Sequence, residues 1–333
     1  DAFELAELPV RADISGEWRQ EAAKVDPAAP FDEMAARRLA ESFTAYLRAC
    51  KADHRALSTL PPGRFLMPGD LEGSPALTFA PLPGLGEGRF PSGSLAATME
   101  RRYEAYKTHV VKPFFREHIA RLDRQIVLID ALQALNAGPG AMADLERALA
   151  EILACFRPGR GSIFTDLFSR RIDRILVAAT KADHLHHESH DRLQAIVRRL
   201  ADRAASRASL SGATVDVLAM AAVRATREGT VKEGRETLPV IIGTPLAGET
   251  IGGETFDGET ETAIFPGDLP ADPELAFKAP PVAGKNRQPE EPPIRFVRFR
   301  PPKLEKTAEG VTLSLPHIRL DRALQFLIGD RLA

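Results

Sequence analysis

Thr180-Lys181-Ala182-Asp183 is a tetrad whose residue types and spacing suit recognition of a purine base. The Watson–Crick edge of guanine offers two adjacent N–H donors, and an ionised carboxylate, which only accepts, can take both. Adenine has an acceptor at one of those positions, so Asp183 would repel it. The stem of Lys181 can lie flat along the base while its ammonium stays wet. Thr180 can hydrogen-bond neighbouring backbone and hold the loop. The tetrad fits the [Asn/Thr]-Lys-x-Asp pattern of guanine-reading loops. The alternative is a solvated turn in which Asp183 caps the helix that follows.

Other stretches also carry residues capable of chemistry. Arg124-Gln-Ile-Val-Leu-Ile-Asp130 is an apolar run ending in Asp, as in a Walker B strand whose Asp helps to hold Mg²⁺. Many parallel strands end that way without a metal. Asp13-Ile-Ser-Gly16 imitates the Asp-x-x-Gly loop that meets Mg²⁺ and the γ-phosphate. It follows no apolar strand, so Asp13 or Ser15 reads better as a cap on the helix carrying Trp18. His184, His186, His187 and His190 put four histidines within seven residues, which suggests a metal. His186 and His190 share a helical face, but the zinc-protease pattern needs two residues between Glu188 and the second His, and only Ser189 stands there. With no third ligand indicated, a polar helix start is expected and no metal is assigned. A phosphate cradle, Gly-x-x-x-x-Gly-Lys-[Ser/Thr], is absent from the sequence. The one Gly-Lys pair, Gly284-Lys285, is followed by Asn286 and has Ala279 where the first Gly belongs.

Strands must position the tetrad. Ile175 to Ala179 is short, apolar and bounded by charge, and reads as a buried strand of a parallel sheet. The tetrad then lies at its carboxyl end, where open α/β sheets bind ligands. Arg124–Asp130 and Ala213–Met220 read as two further buried strands, with a helix over about 140–156 between the first two and another to about Ser206 before the third. The third strand runs into Ala221-Ala222-Val223. In guanine-binding folds that place reads Ser-Ala-Lys, and the backbone N–H of the Ala meets O6 of the base; Ala222 stands there. Upstream, Phe31–Ala52 is periodic, with Met34, Leu39, Phe43, Tyr46 and Leu47 on one face. A second helix spans about Ser94–Arg121, apolar at Tyr103, Tyr106, Val110 and Phe114 and kinked at Pro113. Residues 227–275 are polar and Gly-rich, and within them Gly243–Glu261 repeats Gly and Glu at short spacing and reads as a hairpin or ordered insertion. Residues 279–293 form a Pro-rich linker, Ile294–Arg300 alternates like an edge strand, and Leu320–Leu332 is a closing helix.

The chain has 333 residues, 44% hydrophobic and 27% charged, enough for one large or two modest domains. Net charge is −2 without blocks of like charge, so no nucleic-acid partner is expected. Cys50 and Cys155 have no ligand spacing and read as reduced core residues of a cytoplasmic protein. No apolar stretch approaches membrane-spanning length. The chain begins with Asp1 rather than Met, so an upstream portion is expected. The expected organisation is a helical region over 1–120, a nucleotide-binding α/β core over 121–228, a Gly/Pro-rich insertion and linker over 229–293, and a strand and helix over 294–333.

Several long segments resemble the YcjX family of bacterial stress-inducible P-loop proteins. They are Pro62-Gly-Arg-Phe-Leu-Met-Pro-Gly-Asp-Leu-Glu-Gly-Ser-Pro75, Glu100-Arg-Arg-Tyr-Glu-Ala-Tyr106, Asp123–Asn136, Ala179–His184, Gly243–Gly248, Phe265-Pro-Gly-Asp268 and Pro316–Leu327. The resemblance implies an α/β fold with a Ras-like P-loop core, a parallel sheet, and helical and loop insertions. It implies GTP or GDP with Mg²⁺ as ligand and GTP hydrolysis by the intact protein. It places Thr180, Lys181 and Asp183 at the base and the Ala222 N–H at O6. Asp130 then lies on the strand after the family's Asp-x-x-Gly loop and is not that loop. The family's P-loop and Asp-Tyr-Pro-Gly loop lie upstream of the first residue here, so no catalytic residue is assigned. The resemblance also implies a partner protein at the inner membrane and peripheral association there. The competing readings are a non-catalytic interaction module with a vestigial nucleotide core and an ATP-binding relative.

Overall fold

The computed structural model describes residues 2–7, 9–53, 63–85, 89–119, 121–154, 172–210, 213–278, 296–302 and 315–332. They form two compact units, Asp1–Arg121 and Leu122–Ala333.

The first unit is helical, with α1 at Gly16–Ala23, α2 at Glu33–Ala52 and α3 at Leu95–Tyr106. Asp32 starts α2 by accepting the Met34 N–H at 2.9 Å, and Ser94 starts α3 by accepting the Ala97 N–H at 3.2 Å. Leu39, Phe43, Leu47 and Cys50 recur at helical spacing and are buried, with Trp18 stacked on Tyr46 at 5.1 Å. Met34 does not join them and is 60% exposed. It lies roughly 200° around the helix from the buried Ala36, at about 100° per residue. Ser15 does not cap α1 through its side chain. Its hydroxyl donates to the carbonyls of Ala6 and Ala12 instead. The long helix expected to Arg121 ends its regular part at Tyr106. Beyond it, i→i+5 turns at Lys107–Val111 and Phe115–Ile119 flank Pro113. Tyr103 and Phe114 are 44% and 49% exposed.

The second unit is α/β. Strands β1 (Arg124–Ile129), β2 (Arg174–Ala179) and β3 (Thr214–Ala219) form a parallel sheet in the order β1-β2-β3. Ile126 pairs with Leu176, and Leu176 with Asp216. One face buries Ile175, Val177, Ala179, Val217 and Ala219 against helices α4 (Ala131–Ala137), α5 (Pro139–Ala154) and α6 (His190–Leu210). The single helix expected at 140–156 is thus preceded by α4, the two being separated at Gly138 with φ 97°. On the other face Leu176, Ala178, Leu218 and Met220 meet Ala323 of α7 (Leu320–Leu332). β2 is therefore buried on both sides, as its unbroken apolar run requires. The outward residues of β1, Ile126 and Leu128, are 37% and 62% exposed.

After β3, strands β4 (Arg227–Glu233) and β5 (Glu236–Gly243) form an antiparallel hairpin through Gly234, whose φ of 62° suits the tight two-residue turn. A short ribbon follows, β6 (Thr250–Ile251) with β7 (Glu254–Thr255), and β8 (Thr262–Ile264) adds to β5. The expected strand over Ile294–Arg300 is only a single bridge, Phe299 to Pro245, among the described residues. Cys50 is buried. Cys155, the whole Pro-rich linker and the basic stretch 157–170 lie outside the described residues.

Candidate functional site

The tetrad sits at the carboxyl end of the central strand and is tied to both neighbours. The N–H and Oγ1 of Thr180 both donate to the Ile129 carbonyl that ends β1, at 2.8 and 3.1 Å. On the other side the Ala182 N–H donates to the Met220 carbonyl at 3.1 Å. Between these anchors Lys181 adopts φ 62° and ψ 33°. A left-handed non-glycine costs about 1 kcal/mol or more and persists where its surroundings enforce it. The turn throws the Lys181 side chain back over β1, where Nζ lies 2.6 Å from Asp130 Oδ2 and 4.9 Å from the centre of the Phe296 ring.

Asp130 is thus engaged by protein groups on both carboxylate oxygens. Oδ2 holds Lys181, and Oδ1 accepts the Gln133 N–H at 3.3 Å to start α4. The Walker B assignment finds no support in this geometry.

Asp183 is 3% exposed. Its Oδ2 accepts the Ala225 N–H at 2.8 Å, and its carbonyl accepts the Thr226 hydroxyl. The helix-cap alternative fails, because α6 begins only at His190 and Asp183 looks across to the loop after β3. One carboxylate oxygen and the spare lone pair of the other remain for a ligand among the described contacts.

Ala222 lies in that same loop and is exposed. Its neighbour Ala221 exchanges both backbone hydrogen bonds with Ile318, at 3.0 and 2.8 Å, and the Arg224 N–H donates to Pro316 at 2.7 Å. Among the described residues no acceptor meets the Ala222 N–H. The structure therefore brings Thr180, Lys181, Asp183 and Ala222 to one sheet edge, on two adjacent loops.

The histidines divide. His184 stacks on Phe296 at 5.2 Å and meets the edge of Phe299 at 5.1 Å. Burial holds its pKa below the ordinary value, against the opposing pull of the Asp183 charge. His190 Nε2 bonds the carbonyls of Ala182 and Leu185 at 2.8 and 3.3 Å, and burial lowers its pKa too. His186 and His187 turn instead toward Glu228 of β4. His186 precedes the helix, so the helical face expected for it with His190 does not form.

Sequence reasoning missed Phe296, Ala225, Thr226 and Glu228. All four lie far from the tetrad along the chain, and only Thr226, a buried hydroxyl next to a strand end, carried a local signal.

Comparison with known proteins agrees with the residue-level resemblance. The profile of the YcjX-like family, DUF463, matches residues 1–332. A protein named "Ras-like GTPase YcjX" from Escherichia coli is 37% identical over 97% of this chain and 65% of its own length. One of the same name from Shewanella oneidensis is 32% identical over 92% of this chain and 59% of its own length. The chain spans less than two thirds of the length of these curated relatives. With the profile covering nearly every residue, the chain belongs to the YcjX-like family.

Proposed function

We propose that this chain carries the base-reading part of a Ras-like, guanine-nucleotide-binding GTPase. The reading rests on one observation: a buried carboxylate, Asp183, at the end of the central parallel strand, beside a loop in which Ala222 is an exposed residue whose N–H has no acceptor among the described residues. Asp183 would accept N1–H and the exocyclic N–H of guanine, and the Ala222 N–H would donate to O6. Lys181 would lay its stem along the base while Asp130 holds its ammonium. The names of the two relatives support this reading. Bound GTP would supply a hydrolysable phosphoanhydride and Mg²⁺ would offset its charge. The 333 residues contain no phosphate cradle, so none is assigned to the phosphates or the metal.

The test is titration of fluorescent GDP and ADP with Mg²⁺, in this chain and in a form extended to the length of its relatives. Asp183→Asn is compared with the parent in each. Asn keeps an oxygen for the Ala225 N–H but puts a donor against guanine. The expected result is a GDP preference in the extended form that falls about 10- to 100-fold on substitution, the worth of a charge-assisted pair. Binding of neither nucleotide by either form would overturn the reading and favour an interaction module.

A further inference from the structure

The cluster of histidines after the tetrad has a use that base recognition does not absorb. His184 is packed between two phenylalanines and His190 is bonded to backbone carbonyls, which leaves His186 and His187. Both face Glu228 on the first strand of the hairpin. His187 Nδ1 lies 2.6 Å and His186 Nε2 3.8 Å from Glu228 Oε2. One ligand atom from each of the three residues lies within 4.8 Å of the other two. Two imidazoles and a carboxylate are a donor set for zinc and its borderline neighbours. Tetrahedral zinc with bonds of about 2.0–2.2 Å sets its ligands roughly 3.3–3.6 Å apart, so shifts of about 1 Å would close the site.

We propose that His186, His187 and Glu228 bind one divalent transition-metal ion of the zinc class. Two details beyond the count of ligands favour this. The Nδ1 of His186 is buried with no hydrogen-bond partner among the described residues, and Glu188 Oε2 lies 3.9 Å from it. That arrangement matches a metal-binding histidine whose far nitrogen faces a carboxylate, leaving Nε2 to the ion. Glu228 divides its two oxygens: Oε1 takes Arg224 Nη2 at 3.1 Å, and Oε2 faces the histidines. The guanidinium opposes a cation electrostatically, so the site is weaker than a closed structural centre. The His187 side chain is 63% exposed, which leaves a coordination position open to water. Bound there, the ion ties the start of the hairpin to the turn that follows the tetrad.

The full 333-residue chain, free of any histidine tag and stripped with EDTA, is titrated with Zn²⁺ against a fluorescent zinc chelator. One ion per chain is expected. His187→Ala and Glu228→Gln should each weaken binding at least about tenfold, as loss of one ligand does. The double variant His109→Ala/His118→Ala should bind as the parent does. His187 is exposed, so its removal leaves folding intact, checked by circular dichroism. Co²⁺ in place of Zn²⁺ should give tetrahedral absorption bands that His187→Ala removes. Zinc bound equally by parent and His187→Ala, or no saturable binding, overturns the proposal and leaves the His187–Glu228 contact an ordinary hydrogen bond. Neither outcome depends on nucleotide binding.

Discussion

Asp183 is held at both ends by one short stretch, its carboxylate by the Ala225 N–H and its carbonyl by the Thr226 hydroxyl. Thr226 is 7% exposed, so Thr226→Val would leave a buried carbonyl unpaired at nearly constant volume. The expected loss is about 1–3 kcal/mol, read as a lower urea midpoint. His190 sets a pH dependence at the same loop. Its folded pKa lies below its unfolded value because burial disfavours the cation. Its stabilising contribution is therefore complete above about pH 6.5, the unfolded value, and is lost as pH falls toward the folded pKa. Urea midpoints at about pH 7.5 and 5.5 should drop more for the parent than for His190→Gln, which can donate to the same carbonyls without titrating. An equal drop in both proteins would remove His190 from the account. Elsewhere Asp257 shows the opposite cause: the Thr260 hydroxyl and the N–H groups of Thr260 and Glu259 hold its carboxyl down at about 2.

The strands differ in what covers them, and substitutions should report it. Leu176 on β2 is 0% exposed beneath α7, whereas Leu128 on β1 is 62% exposed. Leu176→Ala should cost about 2–5 kcal/mol through lost burial and a cavity. Leu128→Ala should stay within about 0.5 kcal/mol in this chain. Urea unfolding measures both, and equal costs would contradict the layering described. The closing helix is held by more than its apolar stripe. Arg124 and Arg174, at the starts of β1 and β2, donate to the carbonyls of Leu327 and Phe326 and pair with Asp330. They thus bring positive charge to the C-terminal half of the helix, and α7 runs antiparallel to the strands beneath it. Arg124 holds Asp330 below the usual carboxylate range.

At the scale of the whole chain, the near balance of charge governs behaviour in solution. With net charge −2 and an isoelectric point near 6.5, solubility should be lowest near pH 6.5 and rise on either side. Turbidity against pH at fixed low salt checks this. Among the described residues no helix is long and apolar enough to cross a membrane. Among the described residues the sheet has three parallel strands, with β1 at one edge and its outward Ile126 and Leu128 exposed. The chain reaches 65% and 59% of the length of its two curated relatives, so the activity of a full-length protein stays within the proposal above.

Strand and helix identity were legible in the sequence wherever burial imposes a period. Ile175–Ala179 reads as a strand closed on both faces because both faces are closed, and the stripe Leu39, Phe43, Leu47 is a helix face because it is buried. The stretch 243–261 was legible as a hairpin or ordered insertion and carries the short β6–β7 ribbon, whereas the longer β4–β5 hairpin before it was not read from the sequence. The place of the tetrad was legible because it directly follows the apolar run that forms β2. Its neighbours were not. Met34 fits an apolar pattern but lies on the wrong side of α2, and the expected edge strand is, over its described residues 296–300, a single bridge. Whether Asp130 meets a metal or a lysine depends on a left-handed turn at Lys181, a conformation that no local preference of lysine favours. The pairing of His186 and His187 with Glu228 spans about forty residues and exists only because the turn after the end of β2 lies beside the start of the hairpin. Local patterning decides which segments are buried; only the packed chain decides which polar groups meet, because those contacts are made across the sheet and not along it.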